Sequence, residues 1–415
     1  MDHVLGLRCV LCGAEYGVGE VDYVCPKHGD EGILDVVYDY DLIGQRSSRE
    51  GLAQNSDYSV WRYSPLLPID PHSPRPPLQV GWTPLYHAHR LGERLGLPHL
   101  YVKDDGRNPT ASFKDRASAI AVVKALELGR DIVTTASSGN AAAALAGLAA
   151  SVGLPTVIFV PETTPQAKVA QLLIFGATVI LVQGTYDQAF DLCLAASREY
   201  GWYCRNTAYN PYMSEGKKTA SFEICEQLGW EAPDRVFVAV GDGCIIGGLW
   251  KGFKDLLALG WIERMPRLMG VQAEGSAVLV RAWQAGTEEI EPIVPHTIAD
   301  SIAVGVPRDR VKGLRAVRET GGEYVAVSDE EILEAMRVLA REAAVFAEPA
   351  GATGFAGLQT LLRQGTIEPQ ERIVVLVTGN GLKDVPSAIQ AAGEPYRVEP
   401  TLEALRRLMS METIP

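Results

Sequence analysis

From about residue 98 onward the chain alternates short, nearly uninterrupted apolar runs with longer amphipathic stretches. The runs at 100–103, 132–136, 156–160, 178–183, 236–240, 268–272 and 373–377 are rich in valine and isoleucine and of strand length. Around them, 115–128, 141–152, 166–175, 187–200, 215–228, 246–257 and 329–341 carry apolar residues at the spacing of one helix face. Strands apolar on both faces and alternating with helices predict parallel sheets covered on both sides, hence an α/β fold. No repeat of fixed period is present. Upstream the pattern changes: 45–80 is polar and then proline-rich, from Ser64 through Pro65, Pro68, Pro71, Pro74, Pro76 and Pro77, which predicts an extended connector.

Several predicted strands run out into Ser/Gly/Asn/Thr segments, and ligands of open parallel sheets bind beyond the carboxyl ends of the strands. The run at 132–136 leads into Ser137, Ser138, Gly139 and Asn140 and then an alanine-rich helix. Exposed amides at such a helix start suit a carboxylate, and Asn140 can donate to a phenolate-like oxygen; an ordinary N-cap has the same sequence. The run at 236–240 leads into Gly241, Asp242, Gly243, Cys244 and Ile245, whose amides and following helix suit a phosphate. No Lys-Ser/Thr pair follows this loop, so it is not a Walker P-loop, and no acidic residue at the right spacing makes it a dinucleotide fingerprint. The run at 373–377 leads into Thr378, a neutral hydroxyl able to face a pyridine nitrogen.

The segment Asn108 to Arg116 places Lys114 after Phe113, at a predicted helix start and close to Arg116. Desolvation or a positive neighbour lowers a lysine pKa and frees the neutral amine for attack on a carbonyl; the helix start and Arg116 both supply positive potential. A lysine of this kind, beside a phosphate loop and a partner for a ring nitrogen, implies pyridoxal phosphate held as a Schiff base.

The chain's 415 residues suffice for two or three domains, and 47% hydrophobic with 21% charged residues is ordinary globular composition. A formal net charge of −13, with no basic run, argues against nucleic acid as a partner. No apolar stretch is long enough to span a membrane, and Met1-Asp2-His3-Val4 does not begin a signal peptide. The seven cysteines are odd in number and mostly scattered, which predicts a reduced, cytoplasmic protein. Near the N-terminus Cys9-x2-Cys12 and Cys25-x2-His28 form two close pairs. Their spacing suits a structural zinc ribbon; the alternative is a knuckle that has lost its metal, or two thiols with a chance histidine. His87 and His89 read as structural or solvated.

Taken together, Gly81-Trp82-Thr83-Pro84-Leu85, Lys103 through Arg116, Ala136 through Asn140, Glu215-Gly216-Lys217-Lys218-Thr219, Trp250-Lys251-Gly252-Phe253 and Thr378 through Lys383 make the chain resemble the threonine synthase group of fold-type II pyridoxal-phosphate enzymes. That resemblance runs from the N-terminal knuckle almost to the C-terminus. It implies two unequal α/β domains with the cofactor between them: a knuckle at 1–40, a large domain at 41–130 and 205–415, and a small one at 131–204. It further implies Lys114 as Schiff-base lysine and proton shuttle, Asn140 on the cofactor's 3′ oxygen, and Ser137 to Asn140 on the substrate carboxylate. Gly241 to Ile245 would wrap the cofactor phosphate and Thr378 meet the ring nitrogen. The implied reaction turns O-phosphohomoserine and water into threonine and phosphate, in a homodimer. Where the family commonly carries an arginine for the substrate phosphate, this chain has Met213. Thr207-Ala208-Tyr209 stand where an Asn-Ser pair is usual, and Cys244 replaces a small residue of the cofactor loop. Lys217, Lys218, Arg205 and Arg308 are the candidate replacement cations, with Lys218 assigned to the substrate. The Met213 departure favours a second reading, a threonine or serine ammonia-lyase or another β-elimination or β-replacement enzyme. A binding protein without turnover is a third.

Overall fold

A computed structural model describes residues 1–411. The first 40 residues form an antiparallel sheet of β1 (Val4–Cys9), β2 (Glu15–Tyr16) and β3 (Leu34–Tyr38), in the order β2-β1-β3. The chain then makes β4 (Leu85–His87) and β5 (Leu100–Asp104) before leaving for a second sheet. That sheet contains β6 (Val133–Ala136), β7 (Thr156–Pro161), β8 (Thr178–Val182) and β9 (Tyr203–Cys204), all parallel and ordered β8-β7-β6-β9. It returns through β10 (Arg235–Ala239), β11 (Arg267–Ala273), β12 (Tyr324–Val327) and β13 (Ile373–Val377). These join β4 and β5 in a six-stranded sheet ordered β12-β11-β10-β13-β5-β4. Every pair in it is parallel except β4 with β5.

The run Ile373-Val374-Val375-Leu376-Val377 is buried along its whole length because β13 lies between β10 and β5 with helices on both faces. That position also brings three strand ends together. The segment carrying Lys114 follows β5, the Gly241 loop follows β10, and Thr378 follows β13.

Three regions differ from the sequence reading. The proline-rich stretch is no free connector: it contains the helix Arg49–Ala53 and a 3-10 segment Val60–Leu66. Val60, Trp61, Leu67 and Ile69 join the apolar cluster around Ala117 and Ile120, so the prolines shape turns on a packed layer. The helix Pro349–Arg363 is not among the predicted elements, and its three glycines lower its helix propensity. They allow it to lie directly on the sheet: a β-carbon at Gly354 would come 3.2 Å from the Phe237 carbonyl of β10, and one at Gly357 would come 2.4 Å from Val271 Cγ2 of β11. The stretch foreseen as 215–228 is two abutting helices, Tyr212–Lys217 and Thr219–Gln227.

Candidate active site

Lys114 opens the helix Lys114–Glu127, and backbone bonds strap its approach to the end of β13. Phe113 donates its amide to the Thr378 carbonyl at 2.8 Å, and the Asn380 amide donates to the Ala111 carbonyl at 3.1 Å. The Glu348 amide reaches the Gly379 carbonyl at 3.0 Å, so the start of the helix Pro349–Arg363 joins the same knot. Phe113 is fully buried and Thr378 nearly so, while Lys114 is half-buried. Burial lowers the Lys114 pKa, and Arg205 is the next cause. The positive neighbour is therefore Arg205. Arg116 is neutralised by Asp105 and Glu223.

Asn140 begins the helix Asn140–Ala150 from the end of β6, and the preceding Gly139 supplies no side-chain cap. Ser137 accepts the Gly139 amide at 3.2 Å, a turn that holds Ser137, Ser138 and Gly139 half-exposed at the helix mouth. The first-turn amides are thus free for an anion. Asn140 donates through Nδ2 to Glu348 Oε1 at 2.7 Å. Burial raises the Glu348 carboxyl to about 7, Asp300 adds to the shift and the Asn140 bond opposes it. Sequence reasoning missed Glu348. Its one signal was a glutamate ahead of a proline at a helix start, a pattern that says nothing of what lies opposite.

The helix Cys244–Ala258 begins after Gly243, which has φ +91° and offers no side-chain cap. A β-carbon on Gly243 would meet the Asp309 carbonyl at 2.7 Å, so this turn needs glycine for both its φ and its space. Gly241 to Ile245 therefore present bare amides at the N-terminus of a 15-residue helix, a cradle suited to the phosphate of pyridoxal phosphate. Asp242 points its carboxylate back to the Arg308 amide at 3.1 Å. The residues present fit the cofactor: a lysine of lowered pKa, two uncapped helix starts and a neutral hydroxyl meet at adjoining strand ends.

Lys218 is a correction. Its ammonium is fully buried, 2.6 Å from both Glu215 and Asp255 and over the Tyr38 ring at 4.1 Å, so it binds β3 to the helices of the large sheet. Lys217 is buried without a carboxylate partner, donating to the Thr207 hydroxyl within the influence of Arg205 and Lys114. Met213 lies in the apolar cluster with Leu145, Leu148 and Tyr203.

At the N-terminus Cys9, Cys12, Cys25 and His28 place one ligand atom each within 4.8 Å of one another. The Cys12 and Cys25 sulfurs are 4.0 Å apart. Two thiolates on one tetrahedral zinc, each at about 2.3 Å, stand about 3.8 Å apart, so the set fits a metal with little movement. Among the described residues no helix is long and apolar enough to cross a membrane.

The model of the family described as pyridoxal-phosphate dependent enzyme matches residues 77–379. A curated threonine synthase of Methanocaldococcus jannaschii is 42% identical over 404 residues, covering 97% of this chain and 98% of that one. The threonine synthase of Methanosarcina acetivorans is 42% identical over 96% of this chain and 97% of its own length. Among solved structures, the processed form of threonine deaminase isoform 2 from Solanum lycopersicum superposes with a TM-score of 0.65 at 26% identity, covering 75% of this chain and 83% of that one.

Proposed function

From the premise that this chain belongs to the threonine synthase family of pyridoxal-phosphate dependent enzymes, we propose that it converts O-phospho-L-homoserine and water into L-threonine and phosphate. The observation that carries the reading is the 42% identity with a threonine synthase along nearly the full length of both chains. The ammonia-lyase reading has less support, since threonine deaminase matches at 26% over a smaller share of the chain.

Bound pyridoxal phosphate supplies the electron sink for the charge left when a proton leaves the substrate Cα. Lys114 Nζ, with its lowered pKa, would hold the cofactor and is suited to take and return protons at the substrate carbons. The uncapped start of the helix Asn140–Ala150, with Ser137, Ser138 and Gly139, would hold the substrate carboxylate, and Asn140 Nδ2, which here donates to Glu348, would hold the cofactor's ring oxygen. Gly241 to Ile245 would hold the cofactor phosphate, and the Thr378 hydroxyl would serve the ring nitrogen without charging it. The sheet β6 to β9, within residues 131–204, acts as a small domain that closes on the remainder and excludes water until the addition step. Zinc held by Cys9, Cys12, Cys25 and His28 locks the N-terminal sheet, which metal analysis of the purified protein checks. Seven free thiols support a cytoplasmic location. Val385 and Ile389, exposed one turn apart, support a homodimer contact.

The test incubates the cofactor-loaded protein with O-phospho-L-homoserine and follows proton and phosphorus NMR. Threonine and phosphate are expected together, and Lys114→Ala loses both the turnover and the visible band of the bound cofactor. An intact band without turnover of this substrate, or ammonia release from threonine or serine instead, overturns the reading.

A further inference from the structure

We propose that Arg205 and Lys217 together form the subsite that recognises the phosphate monoester of the substrate, the role for which Met213 is unsuited. The inference rests on the phosphohomoserine reading above and concerns which side chains carry it out.

Met213 and two of the four candidate cations are already committed. Met213 is 1% exposed within an apolar cluster. Lys218 is closed off by Glu215 and Asp255. Arg308 lies partly in solvent and pairs with Asp187 at 3.0 Å.

Arg205 differs from all of them. It is 1% exposed, and its Nε donates to Ser118 Oγ at 3.2 Å. Its Nη2 is buried with no hydrogen-bond partner. Ser118 lies one turn after Lys114 on the same helix face, which sets the guanidinium beside the nucleophile. The other side of the residue is fixed to the end of β6. The Arg205 amide donates to the Thr134 carbonyl at 2.8 Å, and Asn206 Oδ1 accepts from Thr135 Oγ1 and the Ala136 amide, both at 2.9 Å. The guanidinium therefore stands between Lys114 and the strand end from which Ser137 to Asn140 depart.

Lys217 approaches from the large sheet. It is 1% exposed, and its stem runs over Gly248, where a β-carbon would meet Lys217 Cβ at 2.6 Å. Its ammonium donates to Thr207 Oγ1, a neutral partner. Among the described residues, a buried guanidinium and a buried ammonium that act on each other thus have only hydroxyls as side-chain hydrogen-bond partners, an arrangement that a doubly charged anion completes. Burial holds Lys217 at about 8 and Arg205 at about 10, below their ordinary values. The bare amides after Gly243 are suited to the cofactor's own phosphate, and Cys244 of that loop acts on both cations, so the two anions would lie side by side and the visible band of the cofactor tells them apart.

The experiment uses the holoenzyme of wild type, Arg205→Met, Lys217→Met and Arg205→Lys. It measures KM and kcat for O-phospho-L-homoserine, competitive inhibition by inorganic phosphate, and cofactor affinity from the visible band. Each Met variant is expected to raise KM and the phosphate inhibition constant about 10- to 100-fold, with smaller loss in kcat and an unchanged band. Arg205→Lys, which keeps the charge, recovers part of the loss. If a variant misfolds, the wild type alone decides: saturable phosphate binding competitive with substrate is expected, and its absence overturns the proposal. Unchanged KM and phosphate inhibition in the variants also overturn it. So does weakened cofactor binding with phosphate inhibition intact, which assigns the two cations to the cofactor. A wild type that never turns over phosphohomoserine fails at the premise instead, which separates the two failures.

Discussion

Arg116 and Arg205 are both withdrawn from solvent and stand on either side of the same helix, yet their surroundings are opposites. Arg116 bonds Asp105 through Nε at 2.6 Å and Nη2 at 2.9 Å, Glu223 through Nη1 and Nη2, and the Thr83 and Thr219 hydroxyls. Lys103 closes the same network on Glu223 at 2.7 Å. Burial works against the Arg116 charge, but Asp105 and Glu223 hold its pKa well above the ordinary value. Burial likewise pushes Glu223 up, and Arg116 and Lys103 reverse it to about 2. Around Arg205 there is Ser118 and an unpaired nitrogen. A buried charge whose every donor is met is scaffold, here fixing the helix that begins at Lys114. A buried charge left incomplete marks a place for a ligand.

The largest expected effect breaks the closed network. Arg116→Met strands Asp105 in a sealed interior and leaves Glu223 with Lys103 alone, and should lower stability by about 3–5 kcal/mol, read from urea unfolding of the cofactor-loaded protein. A change below about 1 kcal/mol would mean that the network is not the structural core its hydrogen bonds describe.

Next comes Met213→Arg, which restores the side chain that the family resemblance leads one to expect. Because Met213 faces Leu145, Leu148 and Tyr203, the new charge enters an apolar layer. Stability should fall by about 2–4 kcal/mol with no gain in affinity for O-phospho-L-homoserine. A stable variant with a lower KM would show that the position reaches the cleft and would shift the subsite away from Arg205.

These two substitutions also mark the boundary of what the sequence reveals. Strands such as Ile373–Val377 are legible because burial on both faces demands an unbroken apolar run, and the strand ends carrying Lys114, Ser137 to Asn140, Gly241 to Ile245 and Thr378 follow from the α/β pattern. Arg116, Arg205, Lys217 and Lys218 are legible as charges, but their roles are set by partners far along the chain. Lys218 meets Asp255 and Tyr38, while its neighbour Lys217 meets only Thr207. Adjacent residues on a helix point about 100° apart, so one position decides between scaffold and cleft. Glu348 is hidden for the same reason: its environment comes from Asn140, on the other side of the cleft. The helix Pro349–Arg363 is obscured by glycines that serve close packing, which local propensity counts as breakers.

A smaller effect tests that cleft-facing carboxyl. Glu348 is raised from 4.5 to about 7, so the native state binds more protons than the unfolded chain between those values. Its contribution to stability is therefore present at low pH and lost as pH rises through that window, by at most about 3 kcal/mol. Glu348→Gln keeps an acceptor for Asn140 and removes the titration. In cofactor-free protein, wild type should lose stability relative to this variant between pH 5 and pH 8. Parallel curves would mean that Glu348 titrates as an ordinary surface carboxyl.

The smallest effect is the most discriminating, because it sets Arg205 directly against Arg116. Arg205→Met removes a single bond to Ser118 and a charge with no counter-ion, so stability without added anion should move by no more than about 1 kcal/mol in either direction. The difference should emerge only on adding inorganic phosphate. An anion that binds the native state at ten times its dissociation constant stabilises it by about 1.4 kcal/mol, which raises the thermal midpoint of the wild-type holoenzyme and leaves that of the variant in place. A loss of several kcal/mol without phosphate would make Arg205 a second Arg116, a structural cation whose partner lies elsewhere in the cleft. An equal phosphate response in both proteins would place the anion on the bare helix starts after Gly139 and Gly243, and the contrast between the closed and the open arginine would no longer divide scaffold from site.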